Sequence, residues 1–395
     1  MTDLVQEKVE QAVGILREKN IDVWLTWVRE TSAARDPVLP LIFGTDLTWN
    51  SALILTSTGE RIAIVGNLEL DTAKGTRAYS EVYGYDKSVR ELMREIFTRL
   101  DPKQIAVNFS KEDPLADGLS HGMYQVLEEE LGEIYAMRLI SAEEIIGELR
   151  GRKTPEELCR IQAAIDSAEE IYAEAFAFLR PGKTEREINE FMIAQTKSRS
   201  LETAWIEQGC PTVNTGPESP IGHTFPTDLK VEPGHVIHFD FGVRQENYCS
   251  DLQRMAYVLR SGENEAPEPV RRGFDTMLAS IDAAVKLVKP GALGKDIDAA
   301  ARYVVVNAGY PEYMHGTGHA VGMAVHDGGA MIGPLWEKYG NRPTLPLDEG
   351  NVFTIEPSLT IPVFGHVSIE EMIVVTKSGA EYLSKPQREL FLVQG

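Results

Sequence analysis

The sequence has 395 residues, 43% of them hydrophobic, and carries 39 Lys and Arg against 60 Asp and Glu, a formal net charge of −21. At roughly 100–200 residues per domain, this length predicts two or three domains with a sizeable core. The acidic balance argues against nucleic acid as a partner, because binding to a phosphate backbone requires a basic patch, and it equally disfavours an anionic membrane surface.

The cysteines and the N-terminal segment bear on the cellular compartment. Cys159, Cys210 and Cys249 form no Cys-x-x-Cys pair, which excludes a disulfide framework and a multi-thiolate zinc site of the usual spacing. The first twenty residues carry mixed charge and lack the apolar run of a signal peptide, and no apolar run in the chain approaches the ~20 residues of a membrane span. We therefore expect a soluble, cytoplasmic protein.

Residues 1–150 alternate between predicted helices and strands. Apolar residues recur at helical spacing in residues 5–19 and 88–100. Between these helices, three apolar segments are typical of strands: IDVWLTW, SALILTSTG and RIAIVGN. The pattern predicts an α/β domain with a mixed sheet, and the region contains neither a G-x-G-x-x-G motif nor a P-loop.

A change in pattern near residue 150 marks a domain boundary. The basic, proline-containing segment Arg150–Pro155 ends the alternating pattern, and a long amphipathic helix follows it. We therefore predict a first domain over residues 1–150 and a second over residues 151–395.

The second region contains a weak internal repeat, in which residues 178–192 resemble residues 287–301. In both copies a long amphipathic helix ends at a Pro-Gly pair, and a second helix begins shortly afterwards. Each copy is followed by two strand-like segments, HVIHFDFGV and YCSDLQRMAYV in the first and NVFTIEPSLTI and HVSIEEMIVVT in the second. This repetition predicts a duplicated α/β unit with approximate twofold symmetry.

Each of the four strand-like segments holds an acidic residue in an apolar context: Asp240, Asp251, Glu356 and Glu370. Glu371 falls on the apolar face of its segment and is a weaker candidate than Glu370. A carboxylate in a buried strand is unfavourable unless it is paired or binds a metal, although each acid alone could be a surface residue or an ion-pair partner. Four carboxylates together cannot all stay ionised without cations. Two divalent ions, bridged at roughly 3.5–4 Å, would balance their charge.

Histidine is the expected remaining ligand. Seven of the eight histidines lie within residues 223–366, and the segment HGTGHAVGMAVH offers His315, His319 and His326. Its glycines allow the backbone to approach a site closely. The alternative is a glycine-rich loop whose histidines are solvated or satisfied by hydrogen bonds, so the residues alone leave the choice of ligand open.

These motifs resemble those of the metallopeptidase family that includes Xaa-Pro dipeptidase (prolidase), aminopeptidase P and methionine aminopeptidase, which has the pita-bread fold. In the family's order, the matching motifs are HFDFG with Asp240, YCSDLQR with Asp251, HGTGHAVG with His319, TIEPS with Glu356 and SIEE with Glu370. Residues 1–150 resemble the N-terminal domain of the prolidase, aminopeptidase P and creatinase branch. The resemblance implies an α/β (α+β) chain, with a mixed-sheet domain and a pseudo-twofold pita-bread catalytic domain.

The resemblance also implies roles for the acidic residues and for one histidine. Asp240, Asp251, His319, Glu356 and Glu370 would hold two divalent metal ions, with Asp251 and Glu370 bridging them. Carboxylates with a single imidazole suit Mn, Co, Zn or Fe. Glu356 would carry a proton from the attacking water to the leaving amine.

Three other histidines are further candidates. By resemblance, His223 would lie on the leaving-group side, and His326 would contact the substrate carbonyl and stabilise the tetrahedral intermediate. Phe239 and Phe241 point to the apolar face of their strand, so His238 shares the opposite face with Asp240 and is a candidate for supporting the ligands. The expected activity is hydrolysis of Xaa-Pro dipeptides, or removal of the N-terminal residue from short Xaa-Pro peptides. A small peptide substrate is the expected binding partner, and a homodimer is the expected assembly.

Two positions depart from the prolidase pattern. After His326 the chain reads DGGAMIGP, where prolidase-like enzymes usually have a Glu and soon a Pro, and Ser368 stands where that branch usually carries an Arg. These departures leave open a metal-dependent hydrolase of a small non-peptide amide on the same fold. A non-enzymatic binding module on the same fold is a further alternative, but its signature would be the loss of ligands, and none of the five is lost.

Overall fold

The computed structural model describes residues 2–222 and 224–395. The chain divides between Arg150 and Gly151 into two compact units. None of the described helices combines the length and the apolar character that a transmembrane segment requires. The identity of the first unit as a creatinase-type N-terminal domain stays a prediction.

The first unit is built around one mixed sheet. Its elements are α1 (Thr2–Lys19), β1 (Val23–Val28), α2 (Leu39–Ile42), β2 (Ser51–Thr56), β3 (Arg61–Gly66), α3 (Leu70–Gly75), β4 (Glu81–Tyr85), α4 (Arg90–Leu100), β5 (Ile105–Val107), α5 (His121–Leu131), α6 (Glu133–Ala136), β6 (Leu139–Ser141) and α7 (Glu143–Gly151).

The strand order in this sheet is β4-β3-β2-β1-β5-β6. Strand β1 pairs antiparallel with β2 and parallel with β5, which confirms the predicted mixed sheet. Every residue of β1 and β2 is buried. Burial on both faces explains why these two strands are mainly apolar and do not alternate strictly between apolar and polar residues.

The second unit contains two pairs of long helices and several short sheets. Its elements are α8 (Pro155–Phe178), α9 (Glu185–Ser198), β7 (Glu202–Thr203), β8 (Thr212–Thr215), β9 (Val236–Phe241), β10 (Val243–Gln245), β11 (Tyr248–Cys249), β12 (Leu252–Val258), α10 (Glu268–Val285), α11 (Gly294–Asn307), β13 (Gly318–His319), β14 (Met331–Ile332), β15 (Val352–Ile355), β16 (Ser358–Ile361), β17 (Gly365–Ser368), β18 (Glu371–Thr376), β19 (Gly379–Tyr382) and β20 (Phe391–Val393).

The internal repeat is present in the structure. The turns between α8 and α9 and between α10 and α11 use Gly182 and Gly291 with φ of +89° and +81°, a left-handed conformation that favours glycine. The amide of Gly182 donates to Val231 O at 2.8 Å, and the amide of Gly291 donates to Leu347 O at the same distance. The two helix pairs therefore turn in the same way and are anchored in the same way.

Packing against the helices sets which strand face meets the site. In the first half, the Tyr172 ring of α8 lies edge-on to Phe239 and Phe241 of β9, with centroids 6.1 and 5.7 Å apart. Since side chains alternate along a strand, Asp240 and His238 project from the opposite face. The expected division of this strand into an apolar face and an acidic face is confirmed.

The second half repeats this packing. Buried Met277 and Ile281 of α10 belong to one apolar cluster with Phe353 and Ile355 of β15. In both halves the helices cover the apolar face of the strands, which leaves the acidic positions on the face between the two halves.

Three of the four segments expected to be single strands are interrupted at their acidic residues. Asp251 lies between β11 and β12, Glu356 between β15 and β16, and Glu370 between β17 and β18. The prediction of continuous strands was therefore wrong at these places. Pro357 has no N–H to continue the ladder after Glu356, and each break separates strands that belong to different sheets.

Candidate metal centre

Five elements bring the predicted ligands to one place between the two halves of the second unit. Asp240 lies within β9, and His319 is the last residue of β13. Asp251 directly precedes β12, Glu370 directly precedes β18, and Glu356 directly follows β15. Side chains stand roughly perpendicular to a sheet, so residues on neighbouring strands and strand ends can converge on one face although they are distant in sequence.

The His319 ring is the centre of this arrangement. Its Nε2 atom lies 3.5 Å from Asp251 Oδ2, 3.5 Å from Glu356 Oε1 and 3.9 Å from Glu370 Oε1. One ligand atom each from Asp251, His319 and Glu370 lie within 4.8 Å of one another. Besides burial, the charge of Asp240 raises the pKa of Asp251, Glu356 and Glu370, which places the fourth carboxylate in the same group. The structure thus brings together all five residues expected to bind metal, and their assignment as ligands stays a prediction.

The electrostatics of the cluster suit divalent cations. Burial raises the pKa of Asp240 to about 7 and, together with the charge of Asp240, raises the pKa of Glu356 to about 8. Burial and the neighbouring carboxylates raise the pKa of Asp251 and Glu370 well above the usual range. Burial lowers the pKa of His319 to about 3, so the imidazole is neutral and can offer a lone pair.

Several oxygens of the cluster also have no protein partner. In the described part of the chain, Asp240 Oδ1, Asp251 Oδ1 and both carboxylate oxygens of Glu370 are buried without a hydrogen bond. Orphaned carboxylate oxygens next to a neutral imidazole form the donor set that Mn, Co, Zn and Fe accept. The residues present therefore fit divalent metal ions.

A buried network holds the loop that carries His319. The hydroxyl of Thr317 donates to Asp298 Oδ1 at 2.7 Å, and the Thr317 carbonyl accepts from the Glu356 amide at 2.7 Å. Asp298 on α11 also receives two hydrogen bonds from Arg302, at 2.9 and 2.7 Å. Sequence reasoning did not single out Asp298 and Arg302, although opposite charges four residues apart on a helix are a recognisable signal.

The other predicted histidines lie in different surroundings. His315 is satisfied by Ser358 Oγ and Gly316 O, each 2.8 Å from a ring nitrogen, which matches the alternative of a hydrogen-bonded loop histidine. His326 is exposed, and its ring lies edge-on to His319 with centroids 4.3 Å apart, at the border of the cluster. His223 lies outside the described residues.

The two positions that depart from the prolidase pattern have local explanations. Asp327, directly after His326, is buried and forms an ion pair with buried Lys153 at 3.0 Å, while its other oxygen accepts from the Ala324 amide. Ser368 is 1% exposed and donates to Pro357 O at 3.0 Å. Asp327 thereby anchors the loop that carries His326. Ser368 provides a small hydroxyl at the position where the prolidase branch usually carries an Arg.

Glu371 does not join the cluster. Its carboxylate forms a bidentate ion pair with Arg254, at 3.2 Å for both hydrogen bonds, and accepts a further hydrogen bond from Ser384 at 2.6 Å. The preference for Glu370 over Glu371 as the residue facing the site is thus in accord with the structure.

Comparison with known proteins identifies the family. Residues 159–377, more than half of the chain, match the sequence profile of metallopeptidase family M24. The chain belongs to metallopeptidase family M24. The family resemblance of the five motifs is thereby confirmed, and the protein is a metallopeptidase.

Relatives of this M24 chain cover almost its whole length. It is 26% identical over 390 residues to a Xaa-Pro dipeptidase from Pyrococcus horikoshii, covering 98% of this chain and 99% of that protein. It is similar to the crystal structure of an X-Pro aminopeptidase from Thermotoga maritima, with a TM-score of 0.72, 26% identity and coverage of 95% and 99%. It is also similar to the prolidase structure from Pyrococcus horikoshii, with a TM-score of 0.70, 25% identity and coverage of 97% and 99%. These similarities confirm the α/β, pita-bread fold.

Proposed function

We propose that this M24 metallopeptidase is a dinuclear hydrolase that cleaves Xaa-Pro dipeptides, or removes the N-terminal residue of short Xaa-Pro peptides. The proposal is carried by the buried cluster of four carboxylates around His319, in which carboxylate oxygens lack protein partners. The names of the relatives, Xaa-Pro dipeptidase and X-Pro aminopeptidase, support the substrate class.

Two divalent ions, Mn, Co, Zn or Fe, would be held by Asp240, Asp251, His319, Glu356 and Glu370. Bound ions of this kind supply Lewis acidity toward a substrate carbonyl and an attacking water. The protein contributes a rigid frame: strand ends position the carboxylates, and the network around Thr317 positions the histidine loop.

Glu356 is the group that moves a proton. Its side chain is 17% exposed, against 1% for Glu370, so it retains access to a substrate and water. Its Oε1 faces His319, and its Oε2 accepts a hydrogen bond from Gln253 at 3.2 Å. A carboxylate held in this way accepts a proton from the attacking water and returns it to the leaving amine nitrogen.

Two histidines complete the proposal. His326 is exposed beside His319, where its ring can donate a hydrogen bond to the carbonyl oxygen of the substrate as negative charge develops there. His223 is assigned to the leaving-group side by its motif. Together with Glu356, these are the residues proposed to act on the substrate.

A substrate screen with metal-supplemented protein tests this function. Xaa-Pro dipeptides, longer Xaa-Pro peptides, non-proline dipeptides and small non-peptide amides are compared under the same conditions. We expect hydrolysis of Xaa-Pro substrates that a chelator abolishes and Mn or Co restores. We expect Asp240→Asn to abolish turnover and Asp228→Asn, at an exposed surface aspartate, to leave it unchanged.

Two outcomes of the screen would overturn the proposal. A fully metal-loaded protein that hydrolyses no Xaa-Pro peptide would contradict it. Turnover of a non-peptide amide with inert Xaa-Pro peptides would establish the alternative hydrolase instead.

We also propose that the protein acts as a homodimer in the cytoplasm. The dimer is supported by the resemblance of residues 1–150 to the N-terminal domain of the prolidase branch. The compartment is supported by the three cysteines, all of them free thiols, which suit a reducing environment. Light scattering should give twice the chain mass of 43.8 kDa. A particle of the monomer mass at micromolar concentration would contradict the dimer.

A further inference from the structure

Gln253 occupies the point at which the two halves of the second unit meet. It lies on β12, directly opposite Asp240 of β9. Its backbone forms an isolated antiparallel bridge with Glu370, with N–O distances of 3.4 and 3.2 Å. Its side chain extends from this bridge and donates through Nε2 to Glu356 Oε2 at 3.2 Å. One glutamine therefore contacts both halves of the candidate metal centre.

The side chain of Gln253 is itself held by a line of buried polar groups. Its Oε1 lies 2.8 Å from His238 Nε2, and His238 Nδ1 lies 3.0 Å from Asn214 Oδ1. Asn214 Nδ2 donates to Pro220 O at 2.8 Å, which attaches the end of the line to the backbone. Gln253, His238 and Asn214 are 7%, 5% and 3% exposed. We call Asn214, His238 and Gln253 the polar relay.

The strand register explains how the relay forms. Asn214 of β8 pairs directly with His238 of β9, and β9 pairs in turn with β12. The three side chains therefore lie across neighbouring strands on the face that carries Asp240. The ring of His366 packs edge-on against His238, with centroids 5.0 Å apart, and limits the rotation of its imidazole.

The chemistry of a carboxamide suits the place of Gln253 in this line. It has a donor on one side and an acceptor on the other, so it can accept a hydrogen bond from an imidazole N–H and donate one to a carboxylate at the same time. Buried polar groups are unfavourable unless their hydrogen bonds are made, and an apolar residue would fill the same strand positions at lower cost. A line of three such residues that ends at Glu356 indicates that these residues serve to hold that carboxylate.

We propose that Gln253 is a positioning residue that fixes the orientation of the Glu356 carboxylate, and that His238 and Asn214 hold Gln253 in place. This inference rests on the proposed function, in which Glu356 both binds metal and moves a proton. A glutamate side chain has three rotatable bonds, and both tasks require one orientation of its oxygens. The relay supplies that orientation before substrate arrives.

The test compares Gln253→Leu with the same change at Gln387, a glutamine that lies between β19 and β20 and bonds to the same strand, β12. Gln387 bonds the backbone of Met255 on β12 through both carboxamide atoms, at 2.8 and 2.7 Å, and within the described part of the chain none of its hydrogen bonds reaches the cluster. We expect Gln253→Leu to lower kcat by about 10–100-fold and to change KM for an Xaa-Pro dipeptide by less than about twofold. Gln387→Leu should leave both constants within about twofold of the wild type.

Metal binding gives a second measurement that does not depend on turnover. Metal-free protein is titrated with Co²⁺, and the visible absorption of the bound ion is recorded. We expect Gln253→Leu to bind Co²⁺ about 10–100-fold more weakly, with a shifted absorption band, because Glu356 is less well oriented. Gln387→Leu should reproduce the wild-type titration.

His238→Leu extends the test and covers the case in which Gln253→Leu does not fold. It should lower kcat in the same direction by a smaller factor, about 3–10-fold, because it acts through Gln253. The double variant His238→Leu/Gln253→Leu should be no worse than Gln253→Leu alone. Effects that simply multiply in the double variant would contradict the relay.

The outcomes separate this inference from the proposed function. If the wild type hydrolyses Xaa-Pro peptides while Gln253→Leu matches it in kcat and Co²⁺ affinity, the positioning role is overturned and the function stands. If the wild type binds Co²⁺ but hydrolyses no peptide, the function fails, and weaker Co²⁺ binding by Gln253→Leu still supports the positioning role. A wild type that binds no Co²⁺ overturns both.

Discussion

At the scale of single residues, the charge of the carboxylate cluster dominates the interior of the second unit. Without a cation, Asp240, Asp251, Glu356 and Glu370 lose hydration and repel one another, and the pKa of each is raised. Divalent ions replace this repulsion with attraction. Metal binding should therefore act on the stability of the fold as well as on activity.

We expect removal of metal to destabilise the protein. A ligand that binds the folded state alone, at 100 times its dissociation constant, stabilises that state by about 2.7 kcal/mol. Differential scanning calorimetry with Mn or Co and then with excess chelator should show a higher midpoint with metal. Asp240→Asn should show a smaller shift. Equal midpoints for wild-type protein with and without metal would contradict an intact site.

Glu356→Gln tests the residue proposed to move the proton. The substitution keeps the size of the side chain but removes its charge and its ability to take up a proton. We expect kcat for an Xaa-Pro dipeptide to fall by about 10²–10⁴-fold. Steady-state kinetics of metal-loaded protein provide the measurement, and Glu349→Gln, at an exposed position, is the control. A loss of less than about tenfold would argue against this role.

At the scale of elements, paired strands hold the ligands. Strand β12 starts directly after Asp251, and strand β18 starts directly after Glu370. A buried ion pair between Arg254 and Glu371 joins the first residues of these two strands. Arg254 also donates to the Glu370 carbonyl at 2.9 Å. An ion pair behind the ligands thus ties together the strands that present them.

Arg254→Leu should be strongly destabilising. It leaves the Glu371 carboxylate, which is 1% exposed, buried without its cation. Breaking a buried pair in this way costs about 3–5 kcal/mol, whereas replacing both partners by apolar residues costs much less. Urea unfolding should show a large loss for Arg254→Leu and a partial recovery for Arg254→Leu/Glu371→Leu. A single variant as stable as the wild type would contradict the inferred role of the pair.

Thr184→Ala tests the start of helix α9. The hydroxyl of Thr184 accepts from the Glu187 amide, and the Glu187 side chain accepts from the Thr184 amide, so the two residues form a capping box. Loss of such a cap costs about 1 kcal/mol. The urea midpoint should fall for Thr184→Ala and stay near the wild-type value for Thr184→Ser. Equal midpoints for the two variants would show that the cap contributes nothing.

At the scale of the whole molecule, the site belongs to neither half of the second unit alone. The first half contributes Asp240 and Asp251, the second contributes His319, Glu356 and Glu370, and the Gln253–Glu370 bridge joins the halves. Only four of the 60 acidic residues belong to this cluster. The net charge of −21 is therefore mainly a property of the rest of the chain and gives no information about the site.

Metal binding should therefore protect the junction between the halves. Hydrogen exchange measured by mass spectrometry should slow in peptides that cover residues 248–258 and 366–376 when Mn or Co is added. Peptides from β1 and β2 of the first unit contain no ligand and should exchange at unchanged rates. Equal slowing in both groups would contradict a local effect of the metal on the junction.

The sequence by itself determined the family, the fold class and the five residues of the cluster. Periodicity predicted the helix pairs, because a helix that packs on a sheet must repeat its apolar residues every three or four positions. The Phe239 and Phe241 alternation likewise predicted which strand face Asp240 would occupy. These features are local, so a short stretch of chain is enough to reveal them.

Only the tertiary structure decided what surrounds those residues. The contacts of Gln253 with Glu356, of Thr317 with Asp298, and of Lys153 with Asp327 join segments far apart in the sequence. The tertiary structure also decided the breaks in the strands at Asp251, Glu356 and Glu370, because the strands on the two sides of each break pair in different sheets. Local periodicity does not specify such partners, because they depend on how the two halves pack and on which buried polar groups must find a hydrogen bond.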